Sequence, residues 1–144
     1  LAFETAGLGL NHAIAHNIGA RLKIPHGRIN AMLLPHVIEF NSQFKGYTSN
    51  DFTFTGKKLC KLAKCVGLGG MNTRTSLKTL INEITGLSKS LDIPDTLTKL
   101  GIPLNEFESN RKNIIQGALA DGCIKTNPIN VNYNDISGIL DKLR

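Results

Sequence analysis

The sequence is poor in cysteine and has no long apolar run. Cys60, Cys65 and Cys123 cannot all pair within one chain, and the spacing of the first two is not that of a CxxC metal knuckle. This pattern favours reduced thiols in a cytosolic protein. No segment approaches the ~20 apolar residues of a membrane span, and the first ten residues contain no basic segment of a secretion signal. We therefore expect a cytoplasmic protein that does not enter a membrane.

The sequence also lacks a concentrated charge of one sign. Lys and Arg outnumber Asp and Glu by 17 to 11, a net charge of +6, but the basic residues are scattered singly or in pairs. Without a basic stripe and interleaved aromatic residues, nucleic-acid binding is a weak hypothesis, and salt-dependent retention on a DNA column would test it. The 144 residues, 41% of them hydrophobic, are enough for one domain with a buried core.

Alternating strand patterns are scarce, whereas segments with helical spacing recur between Gly, Pro and Asn clusters. We therefore predict an all-α domain. The first helix is predicted from about residue 9 to residue 18, where Gly19 ends it. The second is predicted to begin after Pro25, and Pro35 is expected to kink or split it. The later helices are predicted at about 51–66 with Asp51 as N-cap, along a stripe from Leu77 to Leu91, at 95–100, at 106–121, and around 136–143 with Asn134 or another nearby Asn as cap.

All four histidines fall between positions 12 and 36, which is the most distinctive feature of the sequence. His12 and His16 are one helical turn apart and project from the same face. The zinc-protease signature with this spacing has Glu directly after the first His, where this chain has Ala13. A metalloprotease is therefore disfavoured.

His26 can approach His12 only if the chain reverses direction, because fourteen residues of unbroken helix would separate them by ~21 Å. The ligands of one metal ion converge to about 2 Å from it. Gly19 is predicted to end the first helix and Pro25 to restart the next, so the sequence permits a metal site. The alternative is that these histidines are packing or hydrogen-bonding residues, and for His36, inside an apolar helix, that interpretation is favoured.

The segment from Gly7 to Val37 closely resembles the histidine signature of the group III, iron-containing alcohol dehydrogenases. Residues that match the family pattern are His12, His16, Gly19, Pro25, His26, Gly27, Asn30, Ala31, Leu33, Leu34 and Pro35. The similarity continues through Leu91–Pro94 and Ala118–Pro128. It implies that residues 1–144 are the C-terminal helical domain of a dehydroquinate synthase-like fold, in a fragment of a longer enzyme that lacks its N-terminal, Rossmann-like domain.

The resemblance also implies site residues. In the family, one Asp and three His hold the metal ion, and His12 and His26 match two of these ligands, while the other two would lie upstream of this sequence. His16 matches a residue that is not a ligand and helps to move a proton. Phe3 matches a substrate-pocket position, although a core aromatic is equally consistent and the neighbouring Glu4-Thr5 departs from the family pair. No cofactor-binding residue of this chain is identified.

The implied activity is hydride transfer between a primary alcohol or aldehyde and NAD(H), assisted by Fe²⁺, with Zn²⁺ as the alternative ion. Expected partners are the small substrate, the missing nucleotide-binding domain and a second copy of the chain. The 144 residues alone are expected to be inactive. The alternative from the residues themselves is a non-enzymatic helical interaction domain.

Overall fold

The computed structural model describes residues 6–43 and 52–144, and over these residues the fold is all-α, as predicted. Six α-helices and one 3-10 helix have both ends within the described residues. They are α1 (Gly9–Leu22), α2 (His26–Ser42), α3 (Phe54–Cys65), α4 (Thr73–Ser90), α5 (Leu104–Ala120), the 3-10 helix (Gly122–Thr126) and α6 (Tyr133–Asp141). None of these helices is long and apolar enough to cross a membrane.

Several predicted helix boundaries need correction. Gly19 lies inside α1, which continues to Leu22. Of the two alternatives for Pro35, a split helix is not observed, because Pro35 lies inside the continuous helix α2. Helix α3 begins at Phe54 and is capped by the Thr53 side chain, which accepts from the Gly56 N–H, whereas the predicted cap Asp51 lies outside the described residues. The predicted helix at 95–100 is a series of turns.

Helix α1 forms the centre of the domain. It packs against α2, α5 and the 3-10 helix, while α3 pairs with α4 and both contact α2. Six of its fourteen residues are buried, on the faces that pack against these elements. The fully buried positions of α1 are Leu10, Ala13, Ile14, Ala15 and Ile18. His12 and His16, the two residues of functional interest, lie on a less buried face of α1.

The N-terminus of α1 is capped by residues from the far end of the chain. Leu8, at the N-cap position, supplies no side-chain cap. Instead, the Gly9 N–H donates to Thr126 Oγ1 at 3.3 Å and the Leu10 N–H donates to Asn127 Oδ1 at 3.1 Å. Because a helix start leaves N–H groups without partners, these bonds satisfy donors that are otherwise unpaired. They also tie the 3-10 helix to α1.

The chain reverses between α1 and α2 over three residues. Lys23 adopts the left-handed conformation with φ 54°, and Pro25 then occupies the N-cap position of α2. A Cβ on Gly19 would lie 3.2 Å from the Ile24 carbonyl oxygen, so glycine here allows the returning chain to pass close to α1. The reversal places His26 beside α1.

Candidate active site

Three imidazole rings meet at the edge of the domain. The ring centroids of His12 and His26 are 5.2 Å apart, those of His16 and His26 are 5.1 Å apart, and those of His12 and His16 are 5.9 Å apart. His12 and His16 come from consecutive turns of α1, and His26 is the first residue of α2. His12 is partly buried, while His16 and His26 are exposed.

Asn30, one turn after His26 on α2, holds the His26 ring. Its Nδ2 donates to His26 Nε2 at 2.9 Å and to the His26 carbonyl oxygen at 3.0 Å. In the structure Asn30 Oδ1 accepts from Asn11 Nδ2 at 2.7 Å, which leaves Nδ2 of Asn30 to face His26. An amide N–H₂ can only donate, so the lone pair of His26 Nε2 accepts from Asn30 here, and this nitrogen would have to exchange that bond for an ion to act as a ligand.

The surroundings of His12 favour its neutral form. Burial lowers the pKa of His12 below its usual value, and the neighbouring His26 and His16 lower it further, while Asp121 acts in the opposite direction. Neutral imidazole is the form that binds metal ions. The site therefore favours the state of His12 that a metal ligand needs.

His16 is hydrogen-bonded on its other side to Asp121, which follows the last residue of α5. His16 Nδ1 and Asp121 Oδ2 are 3.0 Å apart, and Asp121 Oδ1 accepts from the Cys123 backbone N–H at 2.8 Å. Burial raises the pKa of Asp121, but the hydrogen bonds from the Cys123 backbone and from His16 outweigh it, and the pKa is lowered. Burial and the Asp121 carboxylate together raise the pKa of the Cys123 thiol.

The donor set of His12 and His26 fits two ligands of a divalent metal ion. Metal ions lie about 2 Å from an imidazole nitrogen, so two rings with centroids 5.2 Å apart are close enough to share one ion. Imidazole ligands suit iron and zinc alike, and these two residues do not choose between them. Among the described residues, His16, Asp121 and Cys123 also bring one ligand atom each to within 4.8 Å of one another.

The structure brings together three of the four site residues predicted from the sequence. The predicted convergence of His12, His16 and His26 is observed, whereas the roles of ligand and proton carrier stay predictions. Phe3 lies outside the described residues. His36 lies away from the cluster, in a cleft between α2 and α6.

The sequence analysis assigned no role to the side chains that hold the histidines. Asn30 belongs to the matched pattern, and its contact with His26 could have been predicted because it follows His26 by four residues on one helix. Asp121 gave no such signal, since 105 residues separate it from His16. Cys123 was expected only to be a reduced thiol, and within the structure Cys60, Cys65 and Cys123 are all free.

Comparison with known proteins identifies one family. A sequence model described as "Fe-containing alcohol dehydrogenase family, C-terminal" matches residues 1–143. The chain is 36% identical to an NADPH-dependent butanol dehydrogenase of Clostridium saccharobutylicum over 141 residues, which are 98% of this chain and 34% of that protein. It is 34% identical to a 1-propanol dehydrogenase of Salmonella typhimurium, over 99% of this chain and 37% of that protein.

The fold is shared with solved structures of the same kind. An alcohol dehydrogenase from Oenococcus oeni matches with a TM-score of 0.81 and 28% identity, over 99% of this chain and 34% of that one. The chain thus spans about a third of the length of the curated relatives that it matches.

Proposed function

The chain belongs to the iron-containing alcohol dehydrogenase family, and we propose that it is the metal-carrying helical domain of an enzyme that interconverts a small primary alcohol and its aldehyde. The convergence of His12, His16 and His26 is the single observation that carries the proposal. The butanol and 1-propanol dehydrogenases among its relatives support a primary alcohol as substrate. The nicotinamide cofactor is NAD(H) or NADP(H).

His12 and His26 would hold the metal ion in this proposal. When bound, the ion supplies Lewis-acid polarisation of the substrate oxygen. The rest of the ligands, a carboxylate and a third imidazole by the family resemblance, would come from outside these 144 residues, as would the nucleotide-binding domain. Iron is the ion of the family, with zinc as the alternative.

His16 would handle the proton that the alcohol group loses. Its ring lies beside His26, close enough to reach a substrate at the same site, and its side chain is 41% exposed, so it can exchange protons with water. With Nδ1 bonded to Asp121, Nε2 is the nitrogen that remains for this exchange. Proton transfer by a positioned histidine typically contributes about 10²- to 10⁴-fold to the rate.

The proposal is tested by separating metal binding from turnover in the full-length enzyme. His16→Ala should lower kcat by about 10²- to 10⁴-fold and leave the metal content unchanged. His12→Ala and His26→Ala should each lower the metal content. Metal analysis and alcohol-dependent reduction of the nicotinamide measure the two effects.

His36→Gln is the matched control, because His36 lies on the same helix as His26 but in another cleft. It should keep both metal and activity. Loss of metal in His16→Ala would make His16 a ligand and contradict its proposed role. Full metal content in both His12→Ala and His26→Ala would favour a non-enzymatic helical domain instead.

A further inference from the structure

His16 forms a close pair with Asp121, a residue to which the proposed function assigns no role. The two side chains meet with Nδ1 and Oδ2 3.0 Å apart, although they are 105 residues apart in the chain. The Asp121 side chain is only 18% exposed, against 41% for His16. The carboxylate is therefore the more buried partner of the pair.

Asp121 cannot easily turn away from His16, because its second oxygen is also bonded. Asp121 Oδ1 accepts from the Cys123 backbone N–H at 2.8 Å and so caps the 3-10 helix that begins at Gly122. That 3-10 helix is in turn fastened to the start of α1 through Thr126 and the following Asn127. Since α1 also carries His16, both partners of the pair are held by one helix.

The packing of α5 on α1 also holds Asp121 close to His16. Gly117, four residues before Asp121, lies directly against Asn17, the neighbour of His16, with no room for a Cβ between the helices. The helix that ends in Asp121 therefore approaches α1 at the turn that carries His16. Both the 3-10 helix and α5 keep the carboxylate at the imidazole.

An ionised carboxylate can only accept hydrogen bonds, so Nδ1 of His16 must carry the proton in this pair. A neutral ring with the proton on Nδ1 has its lone pair on Nε2. The pair thus selects one tautomer of His16.

We propose that Asp121 is the positioning residue of His16: it fixes the ring orientation and the Nδ1–H tautomer, so that Nε2 can accept the alcohol proton. The proposal rests on the proposed function of His16. In alcohol oxidation the O–H proton would pass to Nε2 and from there to water, and the nicotinamide, when bound, would accept the carbon-bound hydride. Asp121 holds its charge throughout and exchanges no proton.

The test is Asp121→Asn in the full-length enzyme. The asparagine Oδ1 can still accept from the Cys123 N–H, because Asn caps as well as Asp, so the 3-10 helix is kept. Its Nδ2 now faces His16 Nδ1 and can only donate, which selects the wrong tautomer. We expect kcat to fall at least tenfold, with KM, metal content and thermal unfolding midpoint nearly unchanged.

A second background separates positioning from a general structural effect. In His16→Ala, the further change Asp121→Asn should lower kcat no more, because the group that Asp121 positions is gone. The control is Asp95→Asn, which removes an exposed carboxylate that pairs with Lys99 at the surface, and it should leave kcat unchanged.

Three other results would overturn the inference, and each identifies which assumption is wrong. If His16→Ala leaves kcat unchanged, the proposed role of His16 fails and the inference fails with it. If His16→Ala lowers kcat but Asp121→Asn lowers it by the same factor in both backgrounds, only the positioning role fails. Loss of metal in Asp121→Asn would instead make Asp121 a ligand.

Discussion

His36 is the one histidine that lies apart from the cluster. It lines a cleft between α2 and α6 with Glu39 and Lys142, and Asp135 lines the same cleft, while Lys89 and Asp95 lie on its other side. Burial lowers the pKa of His36 below its usual value, the positive charge of Lys142 lowers it further, and Glu39 acts in the opposite direction. The native protein therefore disfavours the protonated ring.

The lowered pKa predicts how stability changes with pH. Between the folded and unfolded pKa values of His36 the unfolded chain binds more protons, so stability falls as pH falls. This contribution is fully present above about pH 6.5, the usual histidine value, and is lost as the pH falls through the folded pKa. Urea unfolding of the chain at pH 7.5 and 5.5 should show a smaller loss in His36→Gln than in the parent. An equal loss in both proteins would contradict the prediction.

The residues of the site differ in how far the sequence could reveal them. The spacing of His12 and His16 alone places them on one helix face, and Pro25 indicates the start of the helix that carries His26. The partner of His16 depends instead on how α5 and the 3-10 helix pack onto α1. A contact between residues 105 positions apart follows from tertiary packing, and no periodic pattern encodes it.

At the scale of the helices, two glycines predict opposite effects of the same substitution. Gly86 lies within α4 with nothing within 4 Å of a new Cβ, and Gly117 lies within α5 with Asn17 Cγ 2.7 Å away. Gly86→Ala should stabilise the chain by about 0.5–1 kcal/mol, because alanine loses less entropy in a helix. Gly117→Ala should destabilise it despite the same gain, since overpacking costs about 1–3 kcal/mol.

Urea unfolding of the two variants measures both effects, and Gly86→Ala serves as the control for helix propensity. To admit the methyl group, Asn17 must turn and give up its hydrogen bond from Nδ2 to the Ala13 carbonyl oxygen, which is 2.9 Å long. If Gly117→Ala were as stabilising as Gly86→Ala, the close approach of α5 to α1 described here would be wrong.

The predicted helices were correct where the apolar spacing ran long and wrong where local residues competed with the fold. Gly19 was predicted to end α1, but the helix continues to Leu22 and ends at the left-handed Lys23. The glycine instead allows the Ile24 carbonyl oxygen to pass close to α1. Between Pro94 and Pro103 the chain is too short for a stable helix, and the Leu97 N–H bonds to the Leu143 carbonyl oxygen.

The apolar stripe of α4 shows a further limit of periodicity. Leu77 and Leu80 are buried, but Leu87 and Leu91 are each 61% exposed. The C-terminal half of α4 therefore extends past the core, although its sequence pattern continues unchanged. A hydrophobic period indicates which face of a helix is apolar, but it does not indicate how far along the helix that face is covered.

At the scale of the whole molecule, the three histidines lie at an edge of the domain and supply only part of the proposed site. It spans about a third of the length of its curated relatives. His12 and His26 are two proposed ligands, whereas a catalytic metal site normally has three from the protein. An ion bound by two neutral imidazoles also lacks the carboxylate that would offset its charge.

The isolated 144-residue chain should therefore bind Fe²⁺ or Zn²⁺ no more tightly than about the micromolar range and should show no dehydrogenase activity. Two ligands leave most of the ion's coordination to water, and no nucleotide site on this chain is proposed to supply a hydride acceptor. Calorimetric titration with each metal ion, paired with a nicotinamide reduction assay on 1-propanol and butanol, measures both properties.

Two substitutions locate any ion that does bind to the isolated chain. Loss of binding in His12→Ala would place it at the His12 and His26 pair, whereas loss in Cys123→Ser alone would place it at His16, Asp121 and Cys123, whose ligand atoms lie within 4.8 Å of one another. Tight one-to-one binding that disappears in His12→Ala would mean that two imidazoles suffice. Turnover above background would contradict the need for a second domain, because hydride transfer requires a bound nicotinamide beside the substrate.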